Sequence, residues 1–350
     1  MPALASAVER EEAYLAGWRR FFHPVATVAE LDAARPDEQG RQQPLGVELL
    51  GQRLVLARLD GRLTALSGTC PHRGTGLHIG WIDPEKCAIV CRYHGAGWCA
   101  DGSLGSFPAI EIEGRQMPAW RIPSFRAVEK YGLVWVCLDP EPLFPVLELP
   151  ELEQDGFVHT PWREQTWQAG VGRMVEATLD TYHFAFTHVG TIGDPSNPRA
   201  PNTKTEIVDN RLTFSYTIDQ PANETIVNVA EEGVVQGLRP VTYTLRAIPN
   251  VVHLRKDSEA GAFVIFFAYC PVGPQQTRWY RLVVRNHDLD VPHEVFQDLE
   301  DRINAQDQHV IETMRPWELT TDLDAELQVY MDRPTVGYRK WTAEMGFRFL

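Results

Sequence analysis

The sequence has few basic residues for its number of acidic ones, and this imbalance limits the partners that it can have. Its 350 residues include 33 Lys and Arg against 47 Asp and Glu, which gives a formal net charge of -14 at pH 7. Nucleic acids select basic protein surfaces, because contacts to phosphate supply much of the binding free energy. We therefore expect a protein that does not bind nucleic acid.

A long apolar run is also missing, and so is a secretory signal. No stretch approaches the roughly 20 apolar residues that are needed to span a bilayer. The first residues, MPALASAVEREEAYLAGW, carry acidic side chains and lack a basic start. We expect a cytoplasmic protein without membrane contact. Thiols stay reduced in that compartment, so the six cysteines are expected to be ligands or core residues and not disulfides.

The order of strand and helix patterns indicates two domains of different kinds. Short β-type runs fill residues 44–140 and include a hairpin signal at Asp60-Gly61. The proline-rich segment 141–152 indicates a linker. Longer β runs such as RLTFSYTI and AFVIFFAYC follow, between helical patterns near 170–188, 291–315 and 335–345. We predict an N-terminal helical segment packing on the core, a small β domain and an α+β domain of antiparallel sheet and helices, over residues 1–40, 41–145 and 146–350.

The pentapeptides CPHRG and CRYHG each combine one cysteine with one histidine. Zinc sites with two Cys and two His usually repeat one ligand type within each pair, as C-x2-C or H-x3-H. Mixed pairs suit a [2Fe–2S] cluster of the Rieske type, with two thiolates on one iron and two imidazoles on the other. The sequence therefore favours an iron–sulfur cluster over zinc, held by Cys70, His72, Cys91 and His94.

A second group of metal-type residues lies in EATLDTYHFAFTH, where Asp180, His183 and His188 fall within nine residues. Two histidines and a carboxylate with open positions form the facial triad of non-haem Fe(II) sites that activate O2. An ideal helix places His188 about 140° around from His183. Both histidines can bind one metal only if the helix ends or loosens between them, and the alternative is a core helix with two hydrogen-bonded histidines.

The third ligand of this second site stays open on the pattern alone. It is Asp180 itself or a distant acid of the predicted helix 291–315. Asp307 and Glu300 both lie at the edge of that helix's apolar stripe, where a carboxylate is costly unless it is paired or binds a metal.

Together, CPHRG, CRYHG and DTYHFAFTH resemble the terminal oxygenase α-subunits of the Rieske non-haem iron oxygenases. The stretches RFFHPVA, YGLVWVCLDP and QDQHVIETMRP extend the similarity over nearly the whole chain. Chain length and DPSNP resemble the compact monooxygenase branch, with the vanillate, dicamba and caffeine demethylases. The resemblance implies a Rieske [2Fe–2S] domain followed by a helix-grip-like catalytic domain with mononuclear Fe(II). It also implies a homotrimer and electrons from NAD(P)H through a separate reductase of the flavin or ferredoxin type.

Carried over residue by residue, the resemblance makes His183, His188 and Asp307 the iron ligands. Glu312 follows Asp307 by five residues, as in the family's helix. Asp180 matches the family's bridging acid, which links a cluster histidine of one subunit to the iron site of the next. The resemblance thus gives Asp180 a role in electron transfer and not in metal binding.

The family often has an asparagine just before this motif, where the present sequence has Glu176 and Ala177. We expect several neighbouring side chains to lie near the iron or line the substrate pocket: Glu176, Tyr182, Phe184 and Phe186, with Val251, Phe266 and Tyr269 from the strands.

The resemblance implies an oxygenase component that uses O2 and two electrons on a small aromatic or heteroaromatic substrate. The expected reaction is hydroxylation or oxidative N- or O-demethylation. Two alternatives are cis-dihydroxylation of an aromatic ring and, from a different class, an electron carrier with a Rieske cluster alone.

Overall fold

The chain divides into two compact units, and each is described separately. The computed structural model describes residues 7–189, 191–198, 201–221 and 238–347. The small unit is Arg19–Val146, and the large unit combines Met1–Trp18 with Leu147–Leu350. The division falls within the proline-rich segment 141–152.

Helix α1 (Ala7–Trp18) comes first in the chain and belongs to the large unit. Strand β1 (His23–Thr27) follows in the small unit, so the predicted helical segment 1–40 does not form one structural piece. The partner of β1 is a strand that begins at Leu133. The prediction of one helical segment over residues 1–40 is therefore wrong where β1 lies. A five-residue strand whose partner is distant in the sequence has no clear pattern of its own.

The small unit contains two antiparallel sheets and two short helices, α2 (Val28–Asp32) and α3 (Pro108–Ile112). The strands after β1 are β2 (Leu45–Leu49), β3 (Gln52–Leu59), β4 (Arg62–Ser67), β5 (Trp81–Asp83), β6 (Ala88–Val90), β7 (Gly97–Cys99), β8 (Leu104–Ser106), β9 (Ser124–Lys130) and β10 (Leu133–Cys137). The larger sheet has the order β1-β10-β9-β4-β3-β2, and the smaller one has the order β5-β6-β7-β8.

The predicted hairpin is the connection between β3 and β4. Asp60 and Gly61 have φ values of 50° and 70°, so both central residues are left-handed, as a type I′ turn requires. This turn pairs Leu59 with Arg62 and sets the register of the two strands. The alternation that this register imposes buries Val55, Ala57 and Leu59 in a core that also contains Cys70 and Cys91.

The large unit has one antiparallel sheet with helices packed against it. Its strands are β11 (Val158–His159), β12 (Arg163–Trp167), β13 (Glu206–Val208), β14 (Arg211–Pro221), β15 (Leu238–Ile248), β16 (Val251–Ser258), β17 (Gly261–Gly273) and β18 (Gln276–Arg285). The sheet order is β11-β18-β17-β16-β15-β14-β13, and β12 also pairs with β18. Among the described residues of this unit, the other helices are α4 (Val171–Leu179), α5 (Phe184–Thr187), α6 (His293–Ile311) and α7 (Arg333–Glu344).

The predicted fold class is confirmed: a small unit built mainly of β-sheet precedes an α+β unit of antiparallel sheet and helices. Helix α6 buries one stripe, which includes Phe296, Leu299 and Ile303, and the polar Glu300 and Asn304 lie in that same buried stripe. Across the described residues, no helix combines the length and the apolar character needed to cross a membrane.

Candidate metal centres

The two Cys/His motifs form the same turn twice in the small unit. The N–H of Gly74 donates to the carbonyl of Cys70 at 2.9 Å, and the N–H of Gly95 donates to that of Cys91 at 3.0 Å. Both glycines have φ of 75°, a left-handed conformation that glycine adopts without steric cost. The repeated turn brings one cysteine and one histidine of each loop to a common site.

The four side chains of this site have the chemistry that a Rieske cluster needs. The two cysteine sulfurs hydrogen-bond to each other, and the imidazole rings of His72 and His94 lie 4.6 Å apart. Cys70 and Cys91 are buried, His72 is partly buried and His94 is exposed, so the sulfur atoms lie inside and the imidazole of His94 reaches the surface. The Nδ1 atom of His72 is buried without a protein partner among the described residues. These residues fit a [2Fe–2S] cluster.

Of the two sulfur atoms, that of Cys91 favours the thiolate form, whereas contact with Cys91 and burial raise the pKa of Cys70. The hydrogen bond from Cys70 lowers the pKa of Cys91 to about 6, against the effect of burial, and the N–H groups of Tyr93 and His94 add to the lowering. A thiolate is the form that ligates metal. All six cysteines of the chain are free thiols in the structure.

In the large unit, the predicted helix 170–188 breaks before the first histidine. Helix α4 ends at Leu179, and the Oδ1 atom of Asp180 accepts a hydrogen bond from the N–H of Tyr182 at 2.7 Å. A hydrogen bond between a side-chain oxygen and the backbone N–H two residues later replaces the helical pattern with a turn. The one-turn helix α5 then begins after His183 and ends before His188. The helical pattern is thus interrupted before His183, and it also ends between the two histidines, as binding of both to one metal requires.

His183 and His188 meet Asp307 of helix α6 at one point. The two Nε2 atoms are 3.2 Å apart, and the Oδ1 of Asp307 lies 3.5 Å from Nε2 of His183 and 3.2 Å from Nε2 of His188. Neighbouring ligand atoms at about 2.1 Å from one metal ion are about 3.0 Å apart. These three ligand atoms fit a single mononuclear ion. Neither Glu300 nor Asp180 belongs to this three-residue group.

Each histidine of the triad is oriented by a group behind it. The Nδ1 of His188 lies 3.1 Å from Oε1 of Gln306, which directs Nε2 and its lone pair to the centre. The Nδ1 of His183 lies 3.8 Å from Oδ2 of Asp180. Although burial raises the pKa of Asp180, the facing His183 and two backbone N–H groups lower it below the usual value. Asp180 is therefore a carboxylate behind His183.

The triad forms part of the wall of an apolar cavity in the large unit. Its apolar and aromatic lining residues include Trp167, Met174, Phe184, Ile192, Tyr243, Leu254, Ile265, Phe267, Tyr269, Trp279, Ile303 and Ile311. The polar lining residues outside the triad are Thr178, Lys256, Glu300 and Asn304. An apolar cavity beside a metal triad can hold a small planar ligand and keep water from it.

The predicted pocket residues divide between the cavity and other places. Phe184 and Tyr269 line the cavity, whereas Phe186 is 58% exposed and packs near Tyr182, with ring centroids 6.2 Å apart. A residue two positions along a helix faces nearly the opposite side, so Phe184 and Phe186 cannot both line one cavity.

The strand predictions contained the same kind of error. Phe266 and Val251 are fully buried, but neither lines the cavity. Successive side chains of a strand point to opposite faces. In β17 the cavity face carries Ile265, Phe267 and Tyr269, so Phe266 faces the other way.

Glu176, at the departure from the family's asparagine, belongs to a charged network and not to the apolar cavity. Its carboxylate accepts from Arg339 Nε at 2.7 Å and from Arg173 at 3.2 Å. Glu326 bonds to the same two arginines. These four side chains line a second cavity that also reaches Asp180, His183 and Asp307. Ala177 lines both cavities.

Two residues that belong to the site were not predicted from the sequence. Gln306 directly precedes Asp307, and that proximity is the only signal that could have drawn attention to it. Lys256 lies in a strand of the sheet, where its period-2 position relative to Leu254 places it on the cavity face.

Comparison with known proteins matches two parts of the chain to two family models. Residues 24–126 match the model of the Rieske [2Fe-2S] domain, and residues 167–347 match the vanillate O-demethylase oxygenase C-terminal domain. The chain is thus an oxidoreductase that joins an iron–sulfur domain to an oxygenase catalytic domain.

The chain belongs to the Rieske non-haem iron oxygenases. It is 31% identical to methylxanthine N1-demethylase NdmA of Pseudomonas putida, over 97% of this chain and 91% of the relative. The solved structure of Pseudomonas putida CBB5 NdmB matches with a TM-score of 0.78 and 28% identity, covering 94% of this chain and 91% of that one. Dicamba monooxygenase bound to 3,6-dichlorosalicylic acid shares the fold, with a TM-score of 0.73, 16% identity and coverage of 94% and 97%. The predicted family and enzyme class are confirmed, and the match to a catalytic domain argues against a cluster-only electron carrier.

Proposed function

We propose that this chain is the oxygenase component of an N-demethylase for a small methylated heteroaromatic compound. The observation that carries the proposal is the convergence of His183, His188 and Asp307 on the wall of an apolar cavity. Similarity to a methylxanthine N1-demethylase over 97% of the chain supports nitrogen as the atom that loses its methyl group.

Two metal groups are assigned to the residues that fit them. Cys70, His72, Cys91 and His94 would hold a [2Fe–2S] cluster, and the triad would hold mononuclear Fe(II). When bound, these groups supply one-electron transfer and O2 chemistry, which side chains alone do not provide. Electrons come from NAD(P)H through a separate reductase of the flavin or ferredoxin type.

The overall reaction balances with one O2, two electrons and two protons. One oxygen atom enters a C–H bond of the N-methyl group, which becomes an N-hydroxymethyl group, and the second oxygen atom leaves as water. The C–N bond of the hydroxymethyl amine then breaks, which releases formaldehyde and leaves an N–H on the ring. Two electrons from one NAD(P)H therefore remove one methyl group.

The chain's own residues position the substrate and the ligands. Ile265, Phe267 and Phe184 offer apolar faces against which a planar ring can pack, and they exclude water from the methyl group. Gln306 fixes the tautomer of His188 with Nε2 free to ligate. Asp180 holds a negative charge behind His183 and is proposed to connect that histidine to the incoming electrons.

A cytoplasmic homotrimer is the proposed working form, in which the cluster of one copy serves the iron site of the next. The family resemblance supports this assembly. Analytical ultracentrifugation of the purified protein tests it, with sedimentation as a trimer expected and a stable monomer contradicting it.

The test of the proposed function is turnover of the metal-loaded enzyme with a reductase and NAD(P)H. A panel of N-methylated and O-methylated aromatic and heteroaromatic compounds is supplied with 18O2. We expect formaldehyde equal in amount to the demethylated heterocycle. A diol product with two labelled oxygen atoms would instead establish ring cis-dihydroxylation and overturn demethylation.

A further inference from the structure

The apolar cavity holds a carboxylate that neither metal centre uses. The side chain of Glu300 is only 3% exposed, and it lines the cavity on the same helix as Asp307. The two residues are seven positions apart, so they share a helix face about 10 Å apart along its axis. A small ring system seated in the cavity can therefore reach the triad at one end and Glu300 at the other.

The hydrogen-bonding capacity of Glu300 is largely unused within the protein. Its ion-pair partner is Lys256, whose Nζ lies 3.9 Å from Oε1 of Glu300, beyond hydrogen-bond distance. A carboxylate can accept about four hydrogen bonds, and in the described part of the chain none reaches these oxygens. Burying such a group is costly unless donors arrive, so a bound ligand that supplies an N–H would be strongly favoured.

Lys256 offers the complementary group. Its ammonium carries three donors, and its side chain is 15% exposed between Tyr243 and Phe263, with Nζ 5.8 Å and 5.4 Å from their ring centroids. Cation–π contacts at these distances hold the ammonium without using its hydrogen bonds. An acceptor next to a donor thus faces the cavity, opposite the metal triad.

We propose that Glu300 and Lys256 select a heteroaromatic lactam, with Glu300 accepting the ring N–H and Lys256 donating to the adjacent carbonyl. This inference rests on the proposed function and narrows its substrate class. The lactam edge lies at Glu300, and the N-methyl group to be removed lies at the triad. A ring whose nitrogen atoms are all methylated has no N–H to donate to Glu300. It leaves the carboxylate unpaired and places a methyl group against it.

The test compares two ligands that differ at one ring nitrogen. Theobromine carries a ring N–H between two carbonyls where caffeine carries an N-methyl group. Their dissociation constants are measured by calorimetry on the metal-loaded enzyme, under argon and without reductant. We expect theobromine to bind about tenfold more tightly or better, because a charged hydrogen bond is gained and an unpaired carboxylate is avoided.

The variant Glu300→Gln removes the charge at nearly constant size, and its amide can turn to donate or accept. We expect the preference for theobromine to fall to about threefold or less. Glu294→Gln is the matched control, since Glu294 is an exposed acid at the start of the same helix; it should keep the wild-type preference.

Three outcomes would overturn the proposal: equal or tighter binding of caffeine by the wild type, an unchanged preference in Glu300→Gln, or no binding of either compound. Its failure is distinguishable from failure of the proposed function. Demethylation without an N–H preference removes the role of Glu300 and leaves the demethylase. A clear N–H preference without formaldehyde release keeps the recognition pair and removes the demethylase.

Discussion

The two candidate metal centres are built in opposite ways. The cluster site comes from two short loops of the small unit, each of which carries its ligands and its turn glycine within five residues. The triad instead brings together residues that lie far apart in the sequence. His188 contacts Gln306 of helix α6, which is 118 residues away and directly precedes Asp307. The first site is specified by local geometry and the second by packing of the large unit. The two sites should therefore respond differently to single substitutions.

The largest expected effect comes from His183→Ala. This change removes one of three triad ligands without touching the small unit, so the variant should keep the visible colour of the cluster. Turnover should fall by about a thousandfold or more, because the iron is no longer held in place. Visible absorbance and formaldehyde release measure the two effects. A colourless variant would contradict the independence of the two sites.

Asp180→Asn should have the next largest effect. The amide oxygen can still accept the N–H of Tyr182, so the turn before His183 persists. The negative charge that faces His183 is lost, and we expect about a hundredfold lower turnover with both metal groups retained. Metal content and steady-state kinetics test this together. Full activity would remove Asp180 from the mechanism.

Gln306→Leu should weaken the iron site more mildly. The variant keeps a similar side-chain volume but leaves Nδ1 of His188 without its acceptor at 3.1 Å. Loss of an outer hydrogen bond typically lowers metal affinity about 10- to 100-fold. Competition with an Fe(II) chelator measures the change. Unaltered affinity would mean that packing alone orients His188.

The smallest effect is expected from Gly74→Ala in a cluster loop. An added Cβ meets no atom within 4 Å, so only the left-handed φ of 75° opposes it. We expect a loss of about 1 kcal/mol of stability, seen as a lower temperature for loss of the cluster's absorbance. Gly273→Ala is the control, because its Cβ is equally free and its φ is not left-handed. Equal behaviour of both variants would contradict the turn argument.

The same contrast explains what the sequence could predict. Both loops of the cluster site were recognisable, because the ligands and glycines lie together in the chain. The third triad residue was not, since Asp307 and Glu300 have similar positions on one helix stripe. Only packing against His183 and His188 separates them. The family resemblance, and not the periodicity, favoured Asp307.

Errors in the pocket prediction have a stereochemical cause. Phe266 and Tyr269 were both expected in the pocket, although three positions along a strand place two side chains on opposite faces. The break in the helix before His183 was also unforeseen, because Asp180 was considered as a metal ligand or a bridging acid and not as an acceptor for the N–H of Tyr182. The alternation of side chains along a strand would have corrected the pocket prediction. The tendency of an aspartate side chain to accept a nearby backbone N–H would have indicated the helix break.

The most direct test counts iron and acid-labile sulfide per chain on anaerobically purified protein. We predict three irons and two sulfides for the wild type and for Glu300→Gln. Asp307→Asn should give two irons and two sulfides, because the mononuclear ion loses one ligand while the cluster stays. Zinc without sulfide in the wild type would contradict the cluster assignment. Loss of the third iron in Glu300→Gln but not in Asp307→Asn would contradict the triad.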